Sequence, residues 1–252
     1  MTAVPQRDKI AEPPGEPRQD SSTHRAWAAV VIAVVVPLCA GGVLMLGAKW
    51  AKASNDLVND AQYLGALAVC LWLVARRAGD RPLLRLPAAA AVTGVAAGAI
   101  RCGVWLLILP VHRPGPALPV LAAVAGQVLL VAPAEEIQFR GIVLSRLLDT
   151  TRPWLAMVLS AVLFTALHAY SSALLVLPAV AADAALFTAL RVRYRCLGGA
   201  AVAHALFNAV TVVLPAAATV STGTVAGYVI AVVAVDAAAA TVLFRTAKGD
   251  AR

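Results

Sequence analysis

Long apolar runs separated by short polar connections make up most of the chain. From about residue 26 onward, nearly uncharged stretches alternate with segments that contain arginine, proline, glycine or aspartate. Because a helix rises ~1.5 Å per residue and the hydrocarbon core of a bilayer is ~30 Å thick, about 20 such residues can cross a membrane. The pattern predicts eight helices, at about 26–48, 57–75, 86–109, 118–149, 153–169, 173–190, 197–214 and 223–244.

The composition points to the same fold class. Of the 252 residues, 61% are of apolar type and 13% are charged, which is more apolar than a soluble domain of this length. We therefore predict an all-α, polytopic membrane protein with about eight transmembrane helices. One helical domain is expected over 26–245, after a polar, proline-rich tail at 1–25 that is predicted to be disordered and before a short cytoplasmic tail at 246–252.

The net charge of +8 is explained by where the basic residues lie. Sixteen of the 21 lysines and arginines fall in the N-terminal tail or just after the second, fourth, sixth and eighth helices, and only Lys49, Lys52 and Arg113 fall in the opposite loops. By the positive-inside rule, both termini face the cytoplasm. The basic excess is thus a topology signal, and no nucleic-acid partner is expected. The expected location is the plasma membrane, as a multi-pass protein of the bacterial inner-membrane kind.

Charged residues inside the fourth predicted helix need a partner or a function, because burying an ionisable group in a membrane is costly. In "APAEEIQFRG", Glu136 and Arg140 are four residues apart and share a helix face, so they can form an ion pair. Glu135 lies ~100° around the helix from Glu136 and points elsewhere. Pro133 predicts a kink and a small polar cavity nearby. The alternative is a purely structural ion pair with a bystander glutamate.

Two further helices carry a polar pair at the same spacing. "FTALH" places Phe164 and His168 on one face, and "HALFN" places His204 and Asn208 on one face. Either histidine alone is as typical of a core residue as of a catalyst. Together with Glu135, these side chains form a set that can activate water and stabilise an oxyanion.

With these motifs, the chain resembles the CPBP intramembrane proteases, the CAAX-protease and bacteriocin-processing family that includes the type II CAAX prenyl endopeptidases. The family motifs E-E-x-x-x-R, F-x-x-x-H and H-x-x-x-N stand here as "EEIQFR", "FTALH" and "HALFN", in the family's order and on separate helices. The motifs cover about the central third of the chain. Their order within a polytopic protein makes the resemblance specific.

The resemblance implies a role for each motif residue. Glu135 would be the general base on water, assisted by His168, while His204 and Asn208 would polarise the scissile carbonyl and hold the oxyanion. The supporting residues would be Glu136, Arg140 and Phe164.

A metal cofactor stays open at this point, with zinc as the candidate divalent ion. Two histidines and a glutamate are ligand types of catalytic zinc, although the H-E-x-x-H spacing is absent. If a metal is bound, the candidate ligands are Glu136, His168 and His204. We favour a glutamate-activated water without an obligatory metal.

The resemblance implies an intramembrane endopeptidase that hydrolyses membrane-associated or lipidated peptides or proteins, near the cytoplasmic leaflet. Its partners would be that substrate and the lipid bilayer. Two other classes remain open: a non-catalytic immunity or scaffold protein of the same fold and, less favoured, a transporter.

Two intramembrane carboxylates outside the motifs, Asp183 and Asp236, would serve helix packing or a proton path, and we favour packing.

Overall fold

The chain folds into a bundle of helices. The computed structural model describes residues 20–52, 55–76, 83–112, 117–169 and 173–249. Over these ranges there are eight main helices: α1 (Asp20–Trp50), α2 (Asn55–Ala75), α3 (Ala88–Ile108), α4 (Ala117–Leu148), α5 (Pro153–His168), α6 (Leu177–Tyr194), α7 (Gly198–Val213) and α8 (Thr222–Gly249). The predicted all-α fold is confirmed. Helix α1 begins inside the segment predicted as a tail, whose residues 1–19 lie outside the described ranges.

Six of the helices are long and apolar enough to cross a membrane. The other two, α5 and α7, are apolar but have 16 residues each, which corresponds to ~24 Å. The chain is therefore a polytopic membrane protein with several spans. The two shorter helices are the ones that carry the histidine motifs.

Helix α4 lies at the centre of the bundle and is irregular. From Val131 to Leu144 every residue except Pro133 is buried, against α1, α2, α5, α6 and α7. Two wider, π-helical segments, Gln127–Val131 and Ile137–Val143, flank a short α-helical stretch. Pro133 removes a backbone donor, and the widened turns re-form the hydrogen bonds around it. Helix α4 is thus irregular around Pro133, as the sequence predicts, and the two glutamates lie between its two π-helical segments.

The remaining helices pack mainly in pairs, α1 with α2, α3 with α7, and α6 with α8. Small residues allow two of these pairs to approach closely. A Cβ atom on Gly41 would lie 2.6 Å from the carbonyl oxygen of Gln62, and one on Gly98 would lie 2.9 Å from that of Ala203. Close backbone approach of this kind is how helices gain packing energy in lipid.

A second buried polar cluster joins α3, α6 and α8. The Arg101 guanidinium donates to both Asp183 oxygens, from Nε at 2.8 Å and from Nη2 at 3.1 Å, and its Nη1 donates to the Tyr228 hydroxyl oxygen at 2.5 Å. Asp236 lies 3.7 Å from Nε. Arg101 therefore compensates the buried carboxylates, and the arrangement supports the packing role favoured for both aspartates.

The topology is open to direct test. Because the basic residues concentrate at one end of the helices, reporter fusions after residues 50 and 215 should both report the outer face of the membrane. Fusions in the α2–α3 connection serve as the cytoplasmic control. A cytoplasmic signal at residue 50 or 215 would contradict the predicted orientation.

Candidate active site

Glu136 holds the centre of the site together. Its Oε1 atom accepts a hydrogen bond from Nη1 of Arg140 at 2.9 Å, and Nδ1 of His204 lies at the same distance. The Arg140 guanidinium carbon lies 4.1 Å from the ring centroid of Phe164 and 5.3 Å from that of Phe187. Cation–π contacts of this kind further compensate a buried cation. The ion pair expected from the i, i+4 spacing forms, and it is tied to α7 through the histidine.

Glu135 points away from this pair, as its position on the helix predicts. Its Oε1 atom accepts a hydrogen bond from the Tyr63 hydroxyl of α2 at 2.8 Å. Its Oε2 atom lies 3.7 Å from Nε2 of His204 and 3.8 Å from Nε2 of His168. That oxygen is buried and makes no hydrogen bond with any described residue. One carboxylate oxygen is thus held in place, and the other faces both motif histidines.

The hydrogen bond at Nδ1 of each imidazole ring indicates which ring nitrogen carries a proton. Nδ1 of His168 lies 2.9 Å from the carbonyl oxygen of Phe164, which can only accept, so Nδ1 carries a proton. Nδ1 of His204 likewise donates to Glu136. Both Nε2 atoms face Oε2 of Glu135. Separations of 3.7–3.8 Å are too long for direct hydrogen bonds but allow a water molecule to bridge the carboxylate and an imidazole.

Asn208 lies one helical turn beyond His204. Its side-chain amide donates to the Oε1 atom of Gln127 in the first π-helical segment of α4, at 3.0 Å. The structure therefore brings Glu135, Glu136, Arg140, Phe164, His168 and His204 into one cluster, while Asn208 is bonded to Gln127, eight residues before Glu135 on α4. This bond fixes the amide but engages only one of its two N–H groups.

A cavity of about 420 Å³ adjoins the cluster. Helices α1, α2, α4 and α5 enclose it, and both Glu135 and His168 line it. Its remaining lining combines apolar and amide side chains with Tyr63: Pro37, Leu38, Gly41, Asn59, Gln62, Ala66, Gln138, Phe139 and Leu167. The volume falls in the range of small-ligand pockets, and it is large enough to admit a short piece of polypeptide beside the free carboxylate oxygen.

The metal ligand set expected from the sequence, Glu136, His168 and His204, is not assembled. Glu136 is bound to Arg140 and to Nδ1 of His204, whereas Nε2 of His168 faces Glu135. Across the part of the chain that the structure describes, no group of three His, Cys, Asp or Glu side chains is arranged to hold a metal ion. The donor set thus does not fit the expected zinc site.

Sequence reasoning missed Tyr63, the hydroxyl that holds Glu135. A signal for it exists in the sequence: Asn59, Gln62 and Tyr63 stand at i, i+3 and i+4 in a span whose other residues are apolar apart from Asp60. Such spacing puts all three on one face of α2. In a helix that borders lipid on its other side, that face must turn toward protein or water.

Fold and site together define a class of protein: an all-helical, multi-span membrane protein with a cluster of glutamate, histidine and arginine at its centre. Residues 116–210 match the family model described as type II CAAX prenyl endopeptidase Rce1-like. All three motifs lie within the matched segment, and the match confirms that the chain resembles the CAAX-type protease family. Comparisons with curated proteins and with solved structures gave no significant match.

Proposed function

We propose that the chain is an intramembrane endopeptidase that hydrolyses membrane-associated or lipidated peptides or proteins with a glutamate-activated water. The observation that supports this most is the Oε2 atom of Glu135, which accepts no hydrogen bond from the described residues and faces two imidazole nitrogens beside a cavity. Its partners would be that substrate and the lipid bilayer, and its location the plasma membrane, as a multi-pass protein.

In the proposed reaction, a water molecule binds between Oε2 of Glu135 and Nε2 of His168. Glu135 removes one proton from the water as its oxygen attacks the scissile carbonyl carbon, and the same proton is later delivered to the departing amine. The Tyr63 hydroxyl holds the other carboxylate oxygen, so that Oε2 stays directed at the water. Attack, proton transfer and departure of the amine together give one carboxyl and one amino terminus.

The negative charge that develops on the carbonyl oxygen needs donors. In this proposal His204 carries a proton on both ring nitrogens: Nδ1 donates to Glu136, and Nε2 is directed toward the substrate. Asn208, fixed by Gln127, supplies a second donor through its remaining N–H. Glu136 and Arg140 do not touch the substrate in this scheme but hold His204 in position.

The proposed function can be tested without knowing the substrate. Membrane-protein termini would be compared by mass spectrometry in cells that express the wild-type chain, the Glu135→Gln variant or neither. We expect new internal termini with the wild-type chain alone. Identical sets of termini in all three cultures would favour the non-catalytic scaffold instead, which uses the same fold without turnover.

A separate prediction concerns Asn208. Because removing one oxyanion donor typically costs ~10²-fold or more in kcat, Asn208→Ala should lower turnover by about that factor and leave substrate binding nearly unchanged. Gln127→Ala is the matched variant, since it removes only the group that fixes the amide, and should have a smaller effect. Unchanged turnover in Asn208→Ala would mean that the side chain only packs α7 against α4.

A further inference from the structure

Helix α6 contributes an aromatic side chain to the site, although none of the three motifs lies on it. The ring of Phe187 stacks on the imidazole of His204, with 5.1 Å between the ring centroids and 18° between the ring planes. Both side chains are buried. Phe164 approaches the same imidazole edge-on, at 6.4 Å and 78°. Of these two rings, only Phe187 lies face to face with His204.

This stack removes a freedom that the hydrogen bond of His204 leaves open. The contact between Nδ1 and Oε1 of Glu136, at 2.9 Å, holds one atom of the imidazole but still permits the ring to turn about that contact. A ring packed face to face resists such a turn, because the turn would drive the imidazole edge into its neighbour. The hydrogen bond and the stack together set the direction in which Nε2 points.

The stack also bears on the charge of His204. In the proposed reaction this imidazole carries a proton on both nitrogens, which makes it a cation that is only 6% exposed. The Oε1 atom of Glu136 also binds Arg140, so one oxygen is shared between two cations. The face of an aromatic ring attracts a cation within ~6 Å of its centroid. Arg140 lies closer to the ring of Phe164, at 4.1 Å, than to that of Phe187, at 5.3 Å. The face of Phe187 is thus placed to stabilise the imidazolium.

We propose that Phe187 is a positioning residue for the reaction. Its ring face holds the doubly protonated imidazole of His204 in the plane that directs Nε2 at the carbonyl oxygen, and it stabilises the positive charge of this donor. Phe187 acts through His204 and needs no contact with the substrate. The role rests on the proposed protease function. It requires the electrons of the ring face in addition to the bulk of the ring, which separates it from ordinary core packing.

Graded fluorination of Phe187 tests this role. Phenylalanine analogues with one, two or three ring fluorines would be incorporated at residue 187, because fluorine draws electron density from the ring face and weakens its attraction for a cation, while the shape of the ring changes little. A cleavage assay on a substrate identified from the comparison of termini would give kcat and KM. The melting temperature in detergent would be measured on the same preparations.

The same analogues at Phe207 are the matched control. Phe207 follows His204 by three residues on α7, and the guanidinium carbon of Arg101 lies 4.2 Å from its ring centroid. This ring therefore has a cation of its own but no part in the proposed reaction. Its fluorination should lower the melting temperature and leave kcat unchanged.

We expect kcat to fall with each fluorine added at residue 187, to about one tenth with three, and KM to stay within about two-fold. An oxyanion donor acts in the transition state, so its loss appears in kcat. A kcat that does not respond to fluorination at residue 187, or that falls equally at both positions, would overturn the inference.

The wild-type chain separates failure of this inference from failure of the proposed function. A wild-type chain that yields no new termini contradicts the proposed function, and the role of Phe187 in the reaction with it. A wild-type chain that cleaves its substrate at a rate insensitive to fluorination at residue 187 contradicts this inference alone.

Discussion

Glu135→Gln should abolish measurable proteolysis and leave the fold intact. A positioned general base contributes ~10²–10⁴-fold to a rate, and glutamine cannot take a proton from water, so kcat should fall by about that factor. The substitution is nearly isosteric, and the amide oxygen can still accept the hydrogen bond from Tyr63. It also removes a negative charge from a buried atom that makes no hydrogen bond within the described residues. We therefore expect the free energy of unfolding to be equal or higher.

The measurement for Glu135→Gln combines two readouts on the same preparation. A cleavage assay would use a substrate identified from the comparison of termini, and a melting curve in detergent would report stability. Retained activity would remove Glu135 from the role of base and favour a bystander glutamate. A large loss of stability would show that its carboxylate is needed to hold α2 through Tyr63.

The helices could be predicted because apolar runs and their end signals are local. The predicted 153–169 and 197–214 correspond to Pro153–His168 and Gly198–Val213, where proline and glycine mark the starts. The predicted bounds of the sixth helix, 173–190, lie about four residues before the observed ones, Leu177–Tyr194. Its basic residues predict a connection there, but the helix continues through Arg191 and Arg193 and ends only where Arg195 adopts a left-handed conformation, at φ 51°. Charge at a membrane surface need not end a helix.

Contacts between helices were less accessible to sequence reasoning. The Glu136–Arg140 pair follows from spacing within one helix, whereas the bonds from Tyr63 to Glu135 and from Arg101 to Asp183 span 72 and 82 residues. Counted at ~1.5 Å per residue from Arg152 and Arg146, the sequence predicts His168 ~24 Å and Glu135 ~16 Å from the cytoplasmic ends of their helices, a difference of ~8 Å. That estimate assumed helices that start at one height and run parallel. In the structure, Nε2 of His168 lies 3.8 Å from Oε2 of Glu135.

Glu136→Gln should lower the free energy of unfolding, whereas Glu135→Gln should leave it equal or higher, although the two side chains are adjacent in sequence. Glu136 is 0% exposed and Arg140 1%, so water cannot compensate either charge. Glu136 Oε1 binds both Arg140 and His204, while Nη2 of Arg140 has no hydrogen-bond partner among the described residues. Neutralising the carboxylate removes the hydrogen-bonded counterion of Arg140 and leaves this buried cation with its aromatic neighbours and the more distant carboxylates of Glu135 and Asp183. Removing one partner of a buried pair typically costs ~3–5 kcal/mol, and we expect a loss of stability of that order.

The melting temperature in detergent and the yield of folded protein measure this loss, with Glu135→Gln as the matched control. The control changes the same residue type to the same amide one position away, so a difference between the variants reports the ion pair and not the substitution itself. Because His204 is held by the same carboxylate, any Glu136→Gln protein that folds should also be less active, through misplacement of the imidazole. Equal destabilisation of both variants would contradict the division of roles: Glu135 for the reaction, Glu136 for the burial of Arg140 and the placement of His204.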